Sequence, residues 1–210
     1  MGLMHPVISI ILTAIVLGAT SGLSPGPLLT LVVAESFQKG FRAGAAVAVA
    51  PIVTDAPIVL LMITLATALS SMNYVIGALY LAGSGYLVYL SVEIFRIRGM
   101  EVDAAPNIRA SFVKGIVVNL LNPAPYVFWL TVGAPLFLQA KEISWAVGAA
   151  FLGAFYGLLV GAKLLLAVLI GRNRHLLEGG YYKAVVRLMG LFLLFFAVVF
   201  VKSGIEKIIG

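Results

Sequence analysis

The chain has 210 residues, 62% of them hydrophobic and only 10% charged, with a mean hydropathy of +1.11. A soluble domain carries about 25% charged residues and far less apolar content. A separate soluble domain therefore has no room here, and an all-α integral membrane protein is expected. The net charge of +6 comes from basic residues in short links between apolar runs, a pattern of topology control rather than of nucleic-acid binding.

Six apolar segments are each long enough to span the roughly 30 Å hydrocarbon core. The first covers about 7–34 and is interrupted at Ser24-Pro25-Gly26-Pro27. It lacks a charged n-region and runs on into the break, so a cleaved signal peptide is not expected. Glu35 and Lys39 follow at i,i+4 spacing, acid first, a helix-stabilising order. Segment two, about 44–69, places Asp55 between Pro51 and Pro57. Segment three, about 73–95, follows the short uncharged link 70–73. Its Gly83 and Gly85 suit close helix packing, since no strand or phosphate-loop context surrounds them.

A polar stretch over 96–111 then divides the chain, with Arg96, Arg98, Glu101, Asp103, Pro106, Asn107 and Arg109. Segment four, about 112–138, carries a second break at Asn119-Leu120-Leu121-Asn122-Pro123-Ala124-Pro125. Lys141, Glu142 and Ser144 form a link, and Trp145 is placed for the headgroup level. Segment five, about 145–170, has Gly153, Gly157 and Gly161 at strict fours, a small-residue face for helix contact within the chain or in a homo-oligomer. Arg172, Arg174, His175, Glu178, Lys183 and Arg187 mark the last link, and segment six covers about 186–207.

Three segments, a polar divider and three more segments predict two inverted three-helix repeats: 1–95 and 112–210, joined by the linker 96–111. The Lys and Arg residues concentrate in the links after segments one, three and five, so both termini are expected outside. Counting from the basic links puts both Pro-x-Pro breaks about 12–18 Å from the inner boundary. Proline removes a backbone donor, and in lipid the freed carbonyls need new partners. Breaks in helices 1 and 4 at one depth therefore predict a shared site.

The expected site comprises Ser24, Pro25, Gly26, Pro27, Asp55, Asn119, Asn122, Pro123 and Lys163. Asp55 is an acid deep in an apolar segment, the kind of residue that faces a bundle interior and handles protons or cationic groups. Lys163 is the basic residue deep in segment five, placed to pair with Asp55 or to snorkel. Asn119 and Asn122 can cap the broken backbone or contact a ligand. Half-helices restarting after Pro27 and Pro125 would aim their N-termini at the middle, where they favour a carboxylate. His5 and His175 stand apart from any cluster, and there are no cysteines, so no metal or cofactor site and no catalytic residues are expected. The residues suit an ion-coupled small-solute carrier. A membrane scaffold or membrane-embedded enzyme, with a dry bundle and locally capped breaks, is the alternative.

Ser24-Pro25-Gly26-Pro27 with Gly40-Phe41-Arg42-Ala43-Gly44, and Phe112-Val113-Lys114-Gly115 leading to Asn119-Leu120-Leu121-Asn122-Pro123, resemble the LysE/RhtB family of small amino-acid exporters. Asp55 stands where that family has Gly-Asp, with Thr54 in place of the Gly, and Arg187-Leu188-Met189-Gly190 also matches. The resemblance implies a six-helix carrier in the plasma membrane, driven by protons or another coupling ion and moving amino acids outward. Where the family commonly has Asn-Pro-Lys, this chain has Asn122-Pro123-Ala124 and so lacks a positive charge. The superfamily also includes members thought to move cations or other small solutes.

Overall fold

The computed structural model describes residues 4–65, 72–96, 107–173 and 180–209. The described elements are all helical. Helices α1 (Met4–Leu23) and α2 (Pro27–Lys39) flank the first break, and α3 (Phe41–Ala48) leads into α4 (Ala50–Leu65). Helix α5 covers Met72–Arg96. Helix α6 (Ile108–Leu120) precedes the second break, followed by α7 (Pro123–Phe128), a π-helical turn at Trp129–Gly133, and α8 (Ala134–Ile143). Helices α9 (Trp145–Asn173) and α10 (Gly180–Ile209) complete the chain. The link 70–71, most of the divider including Arg98, Glu101, Asp103 and Pro106, the link residues Arg174, His175 and Glu178, and the side chain of His5 lie outside the described residues.

Four stretches are long and apolar enough to cross a membrane: Pro6–Leu23, Phe41–Met62, Trp145–Arg172 and Arg187–Ile209. Helix α6 together with α7–α8, bent by 52° at the second break, makes a fifth. Leu12, Val16, Leu60, Phe195 and Val198 are each more than half exposed, an outer surface that suits lipid and not water. The chain is an all-α, multi-spanning membrane protein. At one rim Lys141 lies 4.4 Å over the Trp145 ring, a cation–π pair consistent with a headgroup anchor.

Two boundaries differ from the sequence-based expectation. Helix α1 is 20 residues long, about 30 Å, so the first break follows a full-length helix rather than interrupting the middle of one. At the second break the helix restarts at Pro123 rather than after Pro125. Proline is favoured at the first helical position because its missing N–H would have been unpaired there anyway. Pro27 opens α2 in the same way.

Helix α5 packs along α10, α1 along α9, and α6 against α3 and α4, while α2 lies among α3, α9 and α10. The turn from α2 to α3 requires Gly40, whose φ of 86° is left-handed territory. Within the chain, close approach to α9 is made by glycines of α1. A Cβ on Gly18 of α1 would collide with the Phe155 carbonyl, and one on Gly22 would stand 2.8 Å from the Leu159 carbonyl. Gly153, Gly157 and Gly161 face open space within the chain. Gly18→Leu is therefore expected to cost about 3 kcal/mol or more by overpacking the α1–α9 seam. Gly157→Leu should leave monomer stability unchanged. Thermal melting in detergent checks both, and equal melting temperatures would refute this seam.

Glu35 ties α2 to α6. It is buried, and its carboxylate accepts from the Lys39 ammonium (3.0 Å), the Ser111 hydroxyl (2.6 Å) and the Lys114 ammonium (3.3 Å). Burial alone pushes this carboxyl up, but Lys39, Lys114 and Ser111 together outweigh it and hold it below its ordinary range. Such a pair rewards α2 and α6 for staying side by side, because losing one partner would strand buried charge.

Candidate functional site

Each break leaves a carbonyl that a distant side chain fills. In an unbroken α1 the carbonyl of Ser21 would accept from the N–H four residues on, but that residue is Pro25, which has none. Lys163 of α9 donates to it instead, at 3.2 Å. The ammonium thus sits at the negative C-terminal end of α1. At the second break the amide of Ala124 turns to Asn122 Oδ1 (3.1 Å), and the Tyr126 hydroxyl donates to the Leu120 carbonyl at 2.9 Å. Thr30 covers the Gly26 carbonyl through both its amide and its hydroxyl, each at 2.9 Å.

Between the breaks lies a cavity of about 490 Å³. Ser24, Pro25, Gly26 and Pro27 line it from the first break, and Asn119, Asn122, Ala124 and Pro125 from the second. Asp55 and Lys163 also line it, and both are only 4% exposed. Phe128, Trp129, Phe155, Tyr80 and Phe200 supply aromatic walls.

The Asp55 carboxylate is held by neutral donors. Asn119 Nδ2 donates to Oδ1 at 2.7 Å and to the Thr54 hydroxyl oxygen at 2.6 Å, and the Tyr156 hydroxyl donates to Oδ2 at 3.2 Å. Thr54 in turn donates to the Ala50 carbonyl at 3.0 Å. Pro51 stands in the first turn of α4 and Pro57 inside it, on either side of this group, and Asn119 reaches it from the last turn of α6. Tyr156 is itself fixed by stacking on Trp129, with ring centroids 6.2 Å apart and planes at 20°. Trp129 opens the π-helical turn, where Pro135 offers no N–H to the Thr131 carbonyl and the regular ladder cannot continue. Asp55 and Lys163 share the cavity without forming a direct ion pair among the described residues.

Comparison with known proteins agrees with this architecture. The family model described as LysE type translocator matches residues 19–204. The chain belongs to that family. A Bacillus subtilis (strain 168) protein named "Putative amino acid efflux protein YcgF" is 23% identical over 210 residues, covering 96% of this chain and 100% of the relative. No solved structure matches.

Membership makes this LysE type translocator a transporter and not an enzyme. Of the residues expected at its site, all but Pro123 line the cavity; Pro123 is buried behind it as the first residue of α7. The two asparagines divide their roles: Asn119 holds Asp55, and Asn122 caps α7 locally. The Lys163 ammonium is buried against the Ser21 carbonyl and interacts with Asp55 electrostatically, without a direct ion pair. Sequence reasoning missed Tyr156, Thr54 as a hydrogen-bonding partner, and the aromatic walls. Tyr156 follows Phe155 and precedes Leu159 by one turn in an apolar run, and nothing in its spacing marks it as Asp55's partner. The Thr54 hydroxyl was the readable signal, since the family's Gly at that place could offer no such contact.

Proposed function

We propose that this translocator exports amino acids outward across the plasma membrane by proton antiport, with Asp55 and Lys163 holding the solute and Asp55 exchanging it for a proton. The observation that carries this reading is a buried acid and a buried base, not in direct contact, lining one cavity at two helix breaks. A zwitterion offers each of them a partner. Competition of ammonium and proton for one carboxylate gives coupling, because binding of either lowers affinity for the other. The printed name of the Bacillus subtilis relative, an amino acid efflux protein, supports the substrate class.

In this reading the chain crosses the membrane six times, as inverted repeats over 1–95 and 112–210 joined by the linker 96–111. The 25 residues of α5, about 37 Å of helix, supply the sixth crossing. The helix pairing supports the inversion: exchanging the halves turns the α1–α9 contact into that of α6 with α3 and α4, and turns α5–α10 into itself. The stripe of Gly153, Gly157 and Gly161, open on the outer face of α9, is where a second copy would pack.

Proteoliposomes holding the purified chain and loaded with unlabelled amino acids should take up labelled amino acid by counterflow, and an imposed pH gradient should drive net accumulation. Absence of any amino-acid exchange, with flux of a simple cation in its place, would replace this reading by a cation exporter. Topology has its own check in this cysteine-free chain. With both termini outside, a cysteine at Arg109 should resist an impermeant thiol reagent on intact cells, and one at Ser144 should react. The opposite labelling pattern reverses the orientation.

A further inference from the structure

The charge count of the cavity narrows the solute. Among the described residues, Asp55 and Lys163 are the acid and the base that line it. Glu35, the neighbouring buried acid on α2, is committed to Lys39, Ser111 and Lys114 and does not line the cavity. Ala124 lines it beside the second break and carries no charge, so this wall offers no second cation. A solute with one carboxylate and one ammonium leaves no charge unmatched. A third charge, on the solute's side chain, would meet no counter-ion among the described lining residues, which costs affinity.

The remaining wall favours a bulky apolar group. Helix α10 contributes Phe196, Val199 and Phe200, and α5 contributes Tyr80, whose ring meets Phe200 edge-on at 5.1 Å. Phe128 and Phe155 stack at 5.1 Å on another side. The volume of about 490 Å³ lies in the range of small-molecule sites, about 300–1,000 Å³.

We infer that this transporter selects zwitterionic amino acids with an uncharged, bulky apolar side chain, the carboxylate on Lys163, the ammonium on Asp55 and the side chain against Phe196, Val199 and Phe200. The inference rests on the export reading above and adds its specificity.

Counterflow of labelled leucine into proteoliposomes, competed by a panel of unlabelled amino acids, tests it. Leucine, methionine and phenylalanine should compete at concentrations at least about tenfold below those needed for lysine, arginine, glutamate or glycine. Phe200→Ala should weaken leucine and phenylalanine by about tenfold more than it weakens glycine. Ala124→Lys should improve competition by glutamate. Lysine, arginine or glutamate competing within about threefold of leucine would overturn the selectivity while leaving amino-acid export standing. Exchange of no amino acid would overturn export and the selectivity with it. Equal losses for leucine and glycine in Phe200→Ala would remove the α10 wall from the side-chain subsite, and the unmodified protein's panel decides the charge argument even if that variant does not fold.

Discussion

Asp55→Asn is expected to abolish gradient-driven accumulation of substrate in proteoliposomes while the chain still folds and inserts. The substitution keeps shape: its amide oxygen can accept from Asn119, and its NH2 can donate to the Tyr156 hydroxyl oxygen in place of the bond that Asp55 accepts there. What it removes is the charge that binds a substrate ammonium and the site that takes up a proton. Efflux down a substrate gradient should also fall, because the ammonium loses its counter-ion in a cavity where Asp55 is only 4% exposed. Accumulation measured against an imposed pH gradient is the readout, with circular dichroism and gel filtration as controls for folding. A variant that still builds a substrate gradient, with unchanged pH dependence, would make Asp55 structural and move coupling elsewhere.

Lys163→Met should weaken substrate binding by about 3 kcal/mol, on the order of a hundredfold in half-saturating concentration. Methionine fills the space of the lysine stem and restores neither the charge nor the donor. Two roles are lost together: the counter-ion for a substrate carboxylate and the hydrogen bond to the Ser21 carbonyl that Pro25 leaves open. These separate in measurement. If Lys163 only caps α1, the variant should lose stability and keep its affinity; if it holds the carboxylate, affinity falls in the folded fraction as well. An unchanged half-saturating concentration in well-folded Lys163→Met would remove this residue from the binding site.

The two prolines at each break, the acid at Asp55 and the base at Lys163 were legible in the sequence because their costs are local. A missing N–H or a charge in an apolar run is visible without knowing what stands opposite. The same locality explains what stayed open. Gly153, Gly157 and Gly161 read as a contact face of α9 within the chain or in a homo-oligomer, and inside the chain the close approach is made by Gly18 and Gly22 of α1. Spacing alone cannot say which of two small-residue stripes meets a neighbour and which faces outward. Pro125 looked like a restart point, but Pro123 stands earlier and Asn122 before it can cap, so the helix begins there.

Composition determined that the chain is helical and spans a membrane, since only internally hydrogen-bonded helices satisfy a backbone in lipid with this sequence pattern. Proline placement determined where the helices break. Tertiary structure alone decided that Asn119 and Tyr156 hold Asp55, that Lys163 answers the Ser21 carbonyl instead of Asp55, and that α2 and α6 are clamped through Glu35. The reason is the solvent. In water a helix announces its buried face by an apolar stripe. In lipid both the packed face and the outer face are apolar, so the rotation of each helix about its axis leaves little periodicity to read. Which polar groups meet across the bundle follows from that rotation and from the crossing of the helices, and these are set by packing.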